Sequence, residues 1–248
     1  VLDEAPSKYD LKDNNPKIIW VCWFQGIENA PLLVNRCYES LMKNMTGFDI
    51  RVIDEKNMLN YVDIPNYIIE KWKKGIISSA HFSDVLRVAL LVKYGGIWVD
   101  STVLCTNNDL CEYITNSSIF VFKSVMRGSD TISASNWLIS SKPNNPILVL
   151  MQNLLNEYWK NENVAIHYYV FHLFFTMAIE KYPEIWNGLP TFNNVNPHIL
   201  VSELNDSFSD ERYEEINKIS SFHKLNYKLN YNEEDNTFYN QIIVKGNF

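Results

Sequence analysis

Asp84 and Arg87 stand three residues apart in the apolar run "HFSDVLRVALLVKY", and Asp100 ends the "GIWVD" stretch that follows. A carboxylate and a guanidinium at that spacing share one face of a helix. Together they suit the hydroxyls of a sugar, the carboxylate accepting hydrogen bonds and the guanidinium donating them. Between and beyond them, Val85, Leu86, Val88, Ala89, Leu90, Leu91 and Val92 point in nearly every direction, which predicts a helix buried all round. Charges in such a setting are costly unless paired or hydrogen-bonded. Two readings follow from spacing alone: a structural ion pair that ties the helix to its surroundings, or a pair directed into a cleft to hold sugar hydroxyls.

The elements that must position these groups can be read along the chain. Gly95-Gly96 permits a left-handed stop to the helix over 78–94 and a sharp entry into the strand that Asp100 closes. Ligands of open α/β sheets gather outside the carboxyl ends of such strands. "KIIWVCW" (17–23) has the profile of a buried parallel strand leading into the loop "FQG". Pro31 suits the first turn of a helix on which Leu33, Cys37 and Leu41 recur, and "DIRVID" (49–54) reads as a second strand. This β-α-β opening favours a parallel sheet covered by helices. Short helices are predicted around 56–61 and 66–74, strands over "SIFVFKSV" (118–125) and "SNWLISS" (135–141), and helices from Pro146 to about Lys160 and over roughly 165–181. In the tail, "SSFHKLNYKLNY" and "TFYNQIIVKG" alternate like edge strands or an antiparallel hairpin. No repeat, low-complexity segment or interdomain linker interrupts the 248 residues, so one domain spanning 1–248 is expected.

The formal charge of −7 argues against a general nucleic-acid binder, which presents a basic face to phosphate. An anionic ligand would therefore need local help from a metal or an arginine. Cys22, Cys37, Cys105 and Cys111 show no CxxC spacing and read as reduced core thiols, in keeping with a cytoplasmic protein. No apolar run reaches the ~18 residues that span a bilayer. "EKWKKG" (70–75) reads either as a solvated helix end or as a peripheral contact with the inner face of a membrane.

"SDVLRVALLVKYGGIWVDST" (83–102) resembles the signature of nucleotide-sugar-dependent glycosyltransferases with the GT-A fold: S-D-x-x-R, then Y-G-G, then an aspartate of a D-x-D motif. The resemblance is to the branch that includes bacterial capsular polysaccharide synthesis proteins, with yeast outer-chain mannosyltransferases and clostridial glucosylating toxins as more distant relatives. "PKIIWVCWFQG", "SNWLISSKPNNP" and "FHKLNYK" resemble further blocks of that branch in the same order, so the similarity runs over about residues 16–228. It implies an α/β fold of GT-A type, with a mostly parallel, Rossmann-like central sheet flanked by helices and a small antiparallel C-terminal element. It also implies a retaining hexosyltransferase that uses a nucleotide-sugar, commonly a UDP-sugar, and a divalent cation, Mn²⁺ or Mg²⁺. The acceptor would be a glycan hydroxyl in bacterial capsular or surface polysaccharide synthesis, on a lipid carrier or free. A protein side chain, as for the toxins, is the alternative.

Carried over by position, Asp84 and Arg87 would hold hydroxyls of the donor sugar. Trp23 would stack on the nucleobase, where its ordinary reading is a core aromatic. Asp100 would contact the ribose and the metal-bound diphosphate, and Asn136 would line the sugar pocket. Thr102 replaces the second aspartate of the D-x-D motif and is a poor ligand for a hard dication. His223 or Asn226 in the late "FHKLNYK" block is expected to complete a metal site with Asp100 and Thr102. His167 and His172, five apart, do not share a helix face and read as packing residues. His81 reads as a helix-start or cleft residue. No side chain presents itself as a covalent nucleophile, so front-side attack assisted by the leaving phosphate is the expected route. A haloacid-dehalogenase-type phosphatase needs a second acid where Thr102 stands, and a non-catalytic sugar-nucleotide binder is the remaining alternative.

Overall fold

The computed structural model describes residues 1–5, 16–124, 132–233 and 235–248. It opens on the expected β-α-β unit: β1 (Ile18–Cys22), α1 (Leu32–Asn44) and β2 (Asp49–Ile53), with β1 and β2 parallel from Ile18↔Asp49 to Cys22↔Ile53. Leu33, Cys37 and Leu41 are all buried, as their spacing requires. Short helices α2 (Met58–Tyr61) and α3 (Asn66–Lys73) lead to α4 (Ser79–Tyr94), which is followed by β3 (Gly96–Val99) and β4 (Val103–Cys105). Then come α5 (Cys111–Asn116), β5 (Ile119–Lys123) and β6 (Ala134–Ser141). The remaining helices are α6 (Pro146–Asn161), α7 (Val170–Lys181), α8 (Pro183–Asn187), α9 (Ile199–Glu203) and α10 (Asp210–Ile219), before the last strand, β7 (Phe222–Lys224). Val125, the final residue of the expected "SIFVFKSV" strand, lies outside the described residues.

The central sheet has the order β2-β1-β3-β6-β5. β1 is parallel to β2 and β3, and β6 is antiparallel to β3 and β5, so four strands point one way and one is reversed. Strand alternation sorts the side chains onto two faces. Trp20, Cys22 and Trp98 enter a core formed with α3, α4, α6 and α7, while Ile19, Val21, Ile97 and Val99 enter a second core with Leu41 of α1 and Met45, which caps that helix. β4 and β7 form the expected small antiparallel element.

The rest of the tail differs from the alternating pattern. "TFYNQIIVKG" is a π-helical turn over Tyr239–Val244, and its Thr237 makes only an isolated antiparallel bridge with Ser207 among the described residues. Ile242 and Ile243 are adjacent and both fully buried, which one face of a strand does not allow and a helical turn does. With Phe238 they pack on Leu33, Leu104 and Leu225 in a third core. α7 also starts later than its apolar pattern suggests, at Val170, leaving His167 exposed ahead of it. There the Tyr169 N–H donates to His167 Nδ1 at 3.1 Å.

α4 reverses into β3 through Gly95-Gly96. Gly95 closes the helix at φ 69°, ψ −155°. That is positive φ, but with an extended ψ that is essentially reserved for glycine rather than the left-handed helical cap expected. A Cβ on Gly95 would lie 2.7 Å from the Ser141 carbonyl, and one on Gly96 2.6 Å from the Ile18 carbonyl. The Trp20 indole N–H donates to the Gly95 carbonyl at 2.9 Å and fixes the turn against β1. Because α4 runs back along β3, its N-terminal half lies beside the carboxyl end of that strand.

Candidate functional site

Cys22 and Val99 end parallel strands, so the residues after them, Trp23 and Asp100, emerge on the same edge of the sheet. The antiparallel β6 enters at that edge, where the Asp100 N–H donates to the Trp137 carbonyl at 2.8 Å. The first turns of α4 complete the wall. A cleft of about 1060 Å³ opens there, lined by Trp23, Asp84, Arg87, Asp100, Thr102 and Asn136. These six, all given site roles from the sequence, therefore meet in one cavity.

Arg87 is the hub. Its side chain is 5% exposed and lies 3.3 Å from Asp84 Oδ1 and 3.4 Å from Asp100 Oδ1. It also donates to the Ser83 hydroxyl at 2.9 Å and to the Asn136 carbonyl, and its guanidinium covers the Trp98 ring at 4.9 Å. The Asn136 amide donates to Asp84 Oδ1 at 3.0 Å, and the Trp98 indole donates to Asp100 Oδ1 at 2.9 Å. Trp98 and Asp100 are two apart along one chain direction, so alternation puts both toward α4. Burial pushes the Asp84 carboxyl up to about 6, outweighing the opposing pull of Arg87. Burial also acts to raise the Asp100 carboxyl, but Lys224, Arg87 and the donated hydrogen bonds prevail and hold it below the usual carboxylate range. Asp84 and Arg87 thus form a buried ion pair and line a cleft at the same time.

Trp23 stands half-buried with its ring edge-on to Tyr227, centroids 5.4 Å apart, and its indole N–H has no partner among the described residues. The structure does not bring His223 to the cleft. His223 is fully buried on the opposite face of β7, with Nε2 3.0 Å from Asn217 Oδ1, and burial lowers its pKa to about 4. The adjacent Lys224 is the residue of β7 that enters the site: its ammonium lies 3.3 Å from Asp100 Oδ2 and donates to the Thr102 hydroxyl. Asn226 lines the cleft too, but its side-chain oxygen accepts from the Lys228 N–H at 3.0 Å. His81 borders the cleft, held between Ser78 Oγ and the Tyr168 carbonyl. His172, expected in packing, also faces the cleft; burial first, then Arg87, lowers its pKa to about 4.

These residues do not fit the expected metal. A hard divalent cation is held by several charged oxygens. Among the described residues the cleft is lined by two carboxylates, Asp84 and Asp100, and both oxygens of Asp100 already face cations, Oδ1 toward Arg87 and Oδ2 toward Lys224. The Thr102 hydroxyl accepts from that same Lys224 ammonium. Among the described residues no three His, Cys, Asp or Glu side chains gather as a metal site. The set Asp100, Thr102 and His223 therefore does not form a cage for Mn²⁺ or Mg²⁺.

Residues 2–242 match the family described as capsular polysaccharide synthesis protein. The chain belongs to that family. It is 29% identical over 135 residues to an uncharacterized glycosyltransferase of Acanthamoeba polyphaga mimivirus, covering 53% of this chain and 52% of the relative. It is 26% identical over 113 residues to a glycosyltransferase of Aspergillus fumigatus, 42% of this chain and 29% of the relative. An O-glycosyltransferase of Phomopsis amygdali is 23% identical over 144 residues, 52% of this chain and 36% of the relative. The chain thus spans about half or less of the length of these curated relatives. Among solved structures, the PaToxG glycosyltransferase is similar over 84% of this chain and 86% of that one, at 16% identity and a TM-score of 0.47.

For a member of the capsular polysaccharide synthesis protein family, Lys224 is the main site residue that the sequence reading passed over. Alternation guarantees that His223 and Lys224 face opposite ways, yet a three-residue strand does not reveal which one faces in. Trp98 was passed over too, and the signal that points to it is the strand face it shares with Asp100.

Proposed function

We propose that this protein is a retaining glycosyltransferase that moves a hexose from a nucleotide-sugar, a UDP-sugar being favoured, to a hydroxyl of a glycan acceptor. The observation that carries this reading is the Asp84–Arg87–Asp100 network, bound through Asn136 and opening into a large cleft at the carboxyl edge of the sheet. A buried carboxylate and guanidinium presented side by side match vicinal hydroxyls in donor and acceptor character. In this reading Asp84, Arg87 and Asn136 orient the donor sugar, and Trp23 with Tyr227 contacts the base. Asp100 sits at the ribose and diphosphate.

Cleavage of the sugar–diphosphate bond builds positive charge at the anomeric carbon and negative charge on the leaving phosphate. The protein's task is to stabilise that anion and hold the acceptor hydroxyl on the same face of the sugar. Front-side attack fits the cleft, where Asp84 and Asp100 are both engaged by Arg87 and neither stands as a free nucleophile. The acceptor belongs to surface or capsular polysaccharide in this proposal, consistent with the family.

The test is thermal denaturation with UDP, GDP, UDP-glucose, UDP-galactose, UDP-N-acetylhexosamines and GDP-mannose, beside Asp100→Ala. One base should raise the melting temperature of the wild type, by about 2.7 kcal/mol of stabilisation at a hundredfold excess over Kd, and lose most of that effect in Asp100→Ala. No shift with any nucleotide sinks the donor site. Specific binding with neither transfer nor hydrolysis assigns the protein as a sugar-nucleotide binder.

A further inference from the structure

We propose that the Lys224 ammonium takes the place of a divalent cation in this chain, so that the donor diphosphate is held by Lys224 and Lys228 and binds without metal. The inference rests on the donor-site reading above and concerns its charge chemistry. Asp100 and Thr102 are the two positions in the cleft expected to grip a metal. Asp100 and Thr102 are bridged, and what bridges them is an amine: Lys224 Nζ, 3.3 Å from Asp100 Oδ2 and donating to Thr102 Oγ1. Thr102 is 7% exposed and Lys224 is mostly covered, so this contact is built into the fold rather than draped over its surface.

The backbone holds the bridge in register. β4 and β7 pair Val103 with Lys224, and the Leu225 N–H donates to the Thr102 carbonyl at 2.8 Å. Lys224 is thereby set directly across from the segment that carries Asp100 and Thr102. A dication entering between these oxygens would have to displace one cation and sit close to another, Arg87, 3.4 Å from the same carboxylate.

An ammonium differs from a dication in two ways that the surroundings address. It carries one charge instead of two, and Lys228, at the cleft and without an ion pair among the described residues, offers the second. It also has three donors, of which Asp100 and Thr102 use two. The third is available to a phosphate oxygen. A hydroxyl at position 102 suits this role better than a second carboxylate, since another negative charge would compete with the phosphate for the same amine.

The experiment is calorimetric titration of the full chain with UDP, UMP and GDP, in EDTA and in Mn²⁺, for wild type, Lys224→Met and Lys224→Arg. The expected result is wild-type affinity for the preferred diphosphate that agrees within about twofold between EDTA and Mn²⁺. Lys224→Met should weaken diphosphate binding by about ten- to a hundredfold, the range for one charged hydrogen bond, and Mn²⁺ should not restore it. UMP should be affected less than UDP, and Lys224→Arg should retain part of the affinity. These comparisons separate a phosphate contact from general loss of folding. Wild-type binding that disappears in EDTA overturns the inference while leaving the donor site intact, and so does Lys224→Met that binds UDP like the wild type. Absence of nucleotide binding in either buffer removes the donor site and this inference with it.

Discussion

Burial raises the Asp84 carboxyl to about 6, more than the adjacent Arg87 lowers it, so the fold disfavours the ionised form of this residue relative to the unfolded chain. The sign follows from proton binding. Between the unfolded value near 4 and the folded value near 6, the native state holds more protons than the unfolded one, and stability contributed by Asp84 is lost as pH rises through that window. Asp84→Asn should therefore gain on the wild type as pH rises from 4 to 7, by on the order of 2 kcal/mol, and the gain should level off above pH 6. Urea unfolding at a series of pH values measures this, and a difference independent of pH would contradict it. The same variant should weaken donor-sugar binding, because the amide replaces one acceptor oxygen with an NH2 donor and removes the charge that strengthens hydrogen bonds from hydroxyls. Asp84, Arg87 and Asp100 were legible because their relation is local: one helical spacing, one glycine turn, one strand end. The role of Lys224 was not, because it depends on which way a short strand faces after more than a hundred intervening residues.

At the scale of elements, the site depends on the reversal between α4 and β3, where both glycines combine a positive φ with a close backbone approach. Gly95 pairs its positive φ with an extended ψ and lies against the Ser141 carbonyl, and Gly96 holds φ 93° against the β1 backbone. Gly96→Ala should cost about 2–4 kcal/mol by combining a strained φ with a backbone clash at 2.6 Å from the Ile18 carbonyl. Ser78→Ala, which removes the hydroxyl that caps the His81 N–H at the other end of α4, should cost only about 1 kcal/mol. Chemical denaturation of both variants checks the order, and equal costs would show that the turn tolerates a side chain. These elements were readable because capping and glycine chemistry are written locally. The π-helical turn at Tyr239–Val244 was not, since its alternating polar and apolar letters suit a strand and only the third core, formed with α1 and β4, decides for a helix. α7 misled in the same way: its apolar pattern extends into the residues before Val170, whereas the backbone turns at His167–Tyr169.

For the molecule as a whole, the buried titratable groups pull in opposite directions, and their balance sets the acid limit. Burial lowers both His223 and His172 to about 4, the latter with help from Arg87. A histidine held neutral in the fold contributes stability above its unfolded value near 6.5 and loses it as pH falls toward the folded value. Asp84 works the other way over much of the same range. Two histidines lowered to about 4 outweigh one carboxylate raised to about 6, so the protein should be less stable at pH 5 than at pH 7, by about 2 kcal/mol. His223 sits on the face of β7 opposite Lys224, in the layer that joins β7 to α10 through Asn217, so its titration should loosen the strand that carries Lys224. Removing that titration with His223→Gln should reduce the loss between pH 7 and pH 5 to a small remainder, even if the variant is weaker at neutral pH. Nucleotide affinity in the wild type should then decline together with stability as pH falls below 6, and hydrogen exchange should report opening at residues 222–225 before the central sheet. An acid transition that begins in the sheet, with β4 and β7 still protected, would show that the histidine layer does not govern it.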